Sequence, residues 1–205
     1  MTDAKMVLNP GSNFPLTFYN VDKNIMRKMV MLLEEGKNKG YRAQSRPLVG
    51  LIAETGLRCK EIDDYILEFK PRYLNKIEEL KNSTEDWNTA SERDKKRLLR
   101  EFREEAVESL DIIPACNLER LFEDEDKDAI ALLIAATYTK TADTSRMLRE
   151  LKGFESIIKH FEIGTSADGP CPHCEQMAEK KYSFNDLPKF PLHIGCRCSL
   201  QYICK

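Results

Sequence analysis

The sequence predicts a mainly α protein, a multi-helix body followed by a small C-terminal α+β module. Three observations carry that expectation. Apolar residues recur every three to four positions over most of 19–158, the period of a helix with one buried face. Strand signals are confined to the end of the chain, near 182–184 and 199–203. Six of the chain's ten cysteines and histidines are packed into two short motifs inside the last 35 residues, where apolar residues are too few to bury them in a dry core.

Residues 1–18 contain Asn9-Pro10-Gly11-Ser12-Asn13 and Pro15, turn formers that read as a flexible N-terminal arm. Asn20 or Asp22 then caps a helix whose Ile25, Met29, Leu32 and Leu33 share a face and which ends near Gly36. Residues 47–53 read as a short helix, Thr55-Gly56 as a turn, and 60–69 as a helix carrying Ile62, Tyr65, Ile66 and Phe69. Pro71, with a fixed φ suited to a first helical turn, is expected to start the next helix. The spacing of Leu98, Leu99, Phe102, Ala106, Val107 and Leu110 predicts a long amphipathic helix over 91–110, its charged face solvated. An apolar helix over 126–138 and a second helix over 142–159, with Leu148, Leu151, Phe154 and Ile158, complete the body. The division expected is an arm at 1–18, a helical domain at 19–158 and a metal-binding module at 159–205.

The 205 residues carry a formal net charge of −2, with 32% charged and 41% hydrophobic residues. That balance predicts a soluble protein with no general attraction to nucleic acid or membrane. The start, Met1-Thr2-Asp3-Ala4-Lys5, lacks the apolar core of a signal peptide, and the longest apolar run, 129–136, is too short to span a bilayer. A reducing cytosol is therefore expected, in which paired cysteines point to metal before disulfides.

The motifs are Cys171-Pro172-His173-Cys174 and His193-Ile194-Gly195-Cys196-Arg197-Cys198, a C-x2-C, x18, H-x2-C-x-C pattern. Two ligands on one tight turn and two more from a distant turn can close a tetrahedron, and thiolate with imidazole selects Zn²⁺. The pattern predicts a zinc-stabilised module with a structural ion held by Cys171, Cys174, Cys196 and either His193 or Cys198. His173 is expected to face solvent, and Cys204 to pack or fray with the terminus.

Other chemistries meet obstacles. A Cys-Pro-His-Cys redox pair needs a thioredoxin-like fold, and only 31 residues follow Cys174. His160-Phe161-Glu162 with Pro170-Cys171 and Cys174 spells a zinc deaminase signature, but seven residues separate its halves, too few for two helices joined by a strand. His160 reads instead as a helix C-terminal residue. Glu54-Thr55-Gly56-Leu57-Arg58-Cys59-Lys60-Glu61-Ile62 has the form of a helix-turn-helix, yet Glu61, Asp63, Asp64 and Glu68 on the second helix would repel phosphates. No catalytic constellation emerges, and a non-enzyme is expected.

Phe161-Glu162-Ile163-Gly164-Thr165-Ser166-Ala167-Asp168, Cys171-Pro172-His173-Cys174, Tyr182-Ser183-Phe184 and Pro191-Leu192-His193-Ile194-Gly195-Cys196-Arg197-Cys198 together resemble the end of the phage Mu F-like head-morphogenesis (minor head protein) family. The resemblance covers roughly residues 159–200. In that family a strand-like segment leads to an acidic turn and a C-x-x-C, and a Cys-Arg-Cys closes the module. Where the family usually has proline and asparagine before Cys-Arg-Cys, this chain has Ile194 and Gly195. The resemblance implies a structural, non-catalytic minor capsid component that docks on the portal or capsid protein, assembles in the bacterial host cytoplasm and ends in the virion. The alternative is a stand-alone zinc-containing adaptor or regulator that binds protein or nucleic acid. Lys180, Lys181, Lys189 and Arg197 would serve the latter, but acids and bases are equal in number over 161–205, so no basic stripe forms.

Overall fold

The computed structural model describes residues 6–8, 15–36, 39–110, 116–166 and 171–205. Its helices are α1 (Lys23–Gly36), α2 (Tyr41–Thr55), α3 (Lys60–Ser83), α4 (Glu92–Glu108), α5 (Leu118–Phe122), α6 (Lys127–Leu151) and α7 (Pro172–Ala178). Strands β1 (Met6–Leu8), β2 (Leu16–Tyr19) and β3 (Arg58–Cys59) form an antiparallel sheet in that order, and β4 (Ile158–Gly164) pairs antiparallel with β5 (Ser199–Cys204). The protein is mainly α with a small α+β module at its end, as the periodicity predicts.

The body packs around α6, which is buried on nearly all sides over its first half, with Leu133, Ile134 and Ala135 fully enclosed. An apolar helix with no solvated face has to be the centre of the bundle. Tyr65 and Tyr73 of α3 bring their rings to Phe122 of α5, at centroid distances of 6.1 and 5.4 Å. Arg103 of α4 grips Glu123 with two nitrogens and reaches Glu119 at 2.7 Å, fixing α4 over α5. Between α1, α2 and α6, Gln44 is fully buried but satisfied: its amide donates to the Leu33 carbonyl at 2.6 Å and accepts from Thr139 at 2.9 Å.

Caps fall where the sequence places them. The Asp22 carboxylate accepts from the backbone of Asn24 and Ile25, Ser91 from Asp94, and Asp126 from Ala129. Gly56, at φ 64°, closes α2 with a left-handed turn, and α3 follows almost at once, burying Leu57 and Ile62. The helix-turn-helix segment is thus a packing corner, with Arg58–Cys59 interposed as β3.

Four expectations need correction. The arm at 1–18 contributes β1 and β2, and Leu16 and Phe18 lie in the body core, because β3 offers Phe18 a non-local ladder partner in Cys59 while Leu16 pairs with Leu8 of β1; the turn at 9–13 lies outside the described residues. Helix α2 begins at Tyr41 and runs through Pro47. Pro71 does not start a helix but sits inside α3, on an exposed face one turn after Leu67, where the carbonyl freed by the missing N–H lies on the solvent side. The helices expected at 126–138 and 142–159 are one helix ending at Leu151, and His160 belongs to β4 rather than to a helix end. Gly153 weakens further helix, while pairing with β5 rewards extension.

Candidate metal centre

Each part of the module is placed by a local rule. Residues of β4 alternate, turning Phe161 and Ile163 inward, and the Phe161 and Tyr182 backbones exchange hydrogen bonds of 2.8 and 3.0 Å. Phe184 meets Phe161 edge-on at 4.8 Å. Pro172 occupies the first turn of α7, and Cys171 is its cap, its sulfur accepting from the Cys174 N–H at 3.4 Å. That turn points Cys171 and Cys174 to the same side. Gly195, at φ 71°, makes the second turn, in which the Cys196 N–H donates to the His193 carbonyl at 3.2 Å.

The two turns meet. His193 Nε2 lies 3.3 Å from both the Cys171 and the Cys174 sulfurs, and Cys174 Sγ lies 3.9 Å from Cys196 Sγ. Two overlapping groups result, Cys171, Cys174 and His193, and Cys174, Cys196 and Cys198, whose ligand atoms lie within 4.8 Å of one another in each. All four cysteines are buried. Zinc–sulfur bonds of about 2.3 Å at tetrahedral angles separate two sulfurs by about 3.8 Å, so the spacing fits a single small cation. His193 Nδ1 is 2.7 Å from the Ile194 carbonyl, which fixes the proton on that nitrogen and leaves Nε2 to bind. These five residues can hold a metal ion.

Electrostatics points the same way. Cys196 is held down to about 5, chiefly because it accepts a hydrogen bond from the Cys174 thiol, while Cys174 is pushed far up by that same contact and then by burial. Burial, reinforced by the charge of Cys196, also raises Cys198. Packed thiols deny one another their charge, and a divalent cation among them is what allows several to ionise together.

All five sequence-predicted ligands, Cys171, Cys174, His193, Cys196 and Cys198, come together. His173 is exposed, as expected. Cys204 is exposed on β5, paired through the backbone with Ile158. His160 joins neither group; its Nε2 lies 2.7 Å from Glu162, on the β4 face opposite Phe161. Three docking residues give no signal in the sequence. Lys140 of α6 donates to the Arg197 and Cys198 carbonyls at 3.2 and 2.7 Å, Thr137 accepts from the Gly195 N–H at 3.5 Å, and Ile194 inserts into the body core. They are ordinary helix or loop residues until the second turn is laid against α6.

The fold and centre define a helical protein with a cysteine–histidine module docked on its longest helix. No family model, no curated protein and no solved structure matches this chain. No helix among the described residues is long and apolar enough to cross a membrane.

Proposed function

We propose that the protein is a phage or prophage minor head protein, an assembly component whose C-terminal module is stapled by a structural Zn²⁺ and docks on portal or capsid protein. One observation carries the reading: soft ligands converge at tetrahedral spacing in a buried centre with more protein donors than zinc needs. A catalytic zinc requires an open position for water, and a centre saturated by protein favours a structural role. Cys171, Cys174, Cys196 and His193 are the ligands we assign, since the His193 imidazole is oriented by its Nδ1 contact and touches two of the three sulfurs. The arrangement of strand, Cys-x-x-Cys turn and closing Cys-Arg-Cys supports the head-protein reading, in the order in which the resembling family has them.

Affinity capture from prophage-induced cells tests the function. Portal or capsid protein should be recovered, and the Cys171→Ser, Cys174→Ser double variant should recover less. Recovery of soluble host regulators alone, or of a DNA complex that persists at high salt, contradicts the head-protein role and supports the adaptor.

A further inference from the structure

A groove of about 450 Å³ opens on the body between α2, the start of α5 and the start of α6, and it shares no residue with the metal centre. Its walls carry Arg42 and Arg46 from α2, Arg120 and Asn117 from the α5 side, and Asp128 from α6. Arg42 and Arg46 are one helical turn apart, so their guanidinium groups project from the same face. Arg120 is already engaged, by Asp126 at 2.7 Å and Asp128 at 3.2 Å. Among the described residues neither Arg42 nor Arg46 has a carboxylate partner, although acids outnumber bases in the chain and most arginines of α4 find one.

Two like charges one turn apart repel, and a concave, partly apolar wall screens that repulsion less than open water does. An oxyanion between them removes the repulsion. Guanidinium is the side chain best matched to such a ligand, because its planar fork gives two parallel N–H donors to the oxygens of a phosphate. Arg120 is one cation shared between Asp126 and Asp128, so Arg42 and Arg46 tip the balance of charge around the groove to the positive side. The side-chain amide of Asn117, whose oxygen caps α5 by accepting from the Arg120 N–H at 3.3 Å, keeps its two N–H donors.

We propose that this groove is a phosphate-binding site, with Arg42 and Arg46 as its anchors. The phosphate can be free, or it can be the phosphodiester of a nucleic-acid strand; the chemistry of recognition is the same. The site does not depend on the head-protein reading.

Inorganic phosphate titrated into the full-length protein at low ionic strength, followed by calorimetry and by the Nε–Hε resonances of the arginines, tests the site. Saturable shifts are expected at Arg42 and Arg46. The Arg42→Gln, Arg46→Gln variant should bind roughly tenfold more weakly or worse. Both positions are exposed, so the fold survives the change. An Arg97→Gln, Arg100→Gln variant on α4 removes the same charge and should bind as the wild type does. A short single-stranded oligothymidylate that displaces phosphate and binds more tightly assigns the site to a nucleic-acid backbone; one that does not compete assigns it to free phosphate. Linear, unsaturable shifts, or equal weakening in both double variants, overturn the proposal.

Discussion

In the helical body the largest fully buried side chains are aromatic or aliphatic, Tyr73, Phe18, Phe122, Leu121, Leu133 and Ile134 among them, whereas four of the nine core residues of the module are cysteines. Each large apolar side chain contributes roughly 1.5–3 kcal/mol on burial, and the body has many. The module has Ile158, Phe161, Ile163, Tyr182 and Phe190, helped by Leu148 and Leu151 of α6. With Phe184, Leu187, Leu192 and Leu200 only partly buried against them, that is a small apolar core for some forty residues, each of which costs roughly 1–2 kcal/mol of conformational entropy to order. On the proposed reading the body is held by buried area and the module by a ligated ion, and the difference tells which perturbation each should fail under.

The comparison can be broken most directly at the centre. Cys171→Ser with Cys174→Ser removes half of the assigned ligands, and structural zinc in small domains supplies an apparent ~10–16 kcal/mol of folding free energy. Limited proteolysis should then cleave within 159–205 while far-UV circular dichroism keeps its helical signal. Unchanged protease resistance would mean that the module folds on its apolar core alone.

A core substitution in the body should do the reverse. Phe122→Ala empties a fully buried site between Tyr65 and Tyr73 and should cost about 3–5 kcal/mol in denaturant unfolding, with metal content per folded chain unchanged. Loss of metal in that variant would make the two regions one cooperative unit.

The seam between them should respond more mildly. Lys140→Met deletes the two bonds to the Arg197 and Cys198 carbonyls, and about 1–2 kcal/mol is expected for charge-assisted bonds at a partly exposed site. Hydrogen exchange should quicken over 195–198 and stay as it was in α3. Uniform quickening would place the effect in the body instead.

The smallest effect is local and pH-dependent. Asp126 is partly buried, which raises its carboxyl, but the Ala129 N–H and Arg120 outweigh this and bring it below its ordinary 3.8. A depressed carboxylate stabilises the fold above its unfolded value and loses that contribution as pH falls through the folded one. Asp126→Ala should therefore cost about 1 kcal/mol at neutral pH, and the difference from wild type should shrink as pH drops below 3.8. A gap independent of pH would show that the side chain acts by packing and not by charge.

The parts legible in the sequence are those with local causes. Asp22, Ser91 and Asp126 mark helix starts because a cap bonds to backbone two or three residues away, and the motif spacing of two tight turns predicts the convergence of Cys171, Cys174, His193, Cys196 and Cys198 that the structure shows. What stayed hidden depends on distant partners. Leu16 and Phe18 look like part of an arm until β2 pairs with β3 through Phe18 and Tyr19. Residues 158–164 have apolar positions compatible with a helix, and only β5, some forty residues on, makes them a strand. Pro47 and Pro71 punctuate a sequence but not a helix whose freed carbonyl can reach solvent. Lys140 and Thr137 carry no mark of a docking role, since their partners are backbone groups of a remote loop.

Metal analysis of protein purified without added metal, before and after chelation, tests the central claim most directly. The account predicts one zinc per chain, and on chelation a loss of ordered amide signals over 159–205 with those of α1 to α5 retained. A metal-free protein whose C-terminal segment is fully ordered would contradict it.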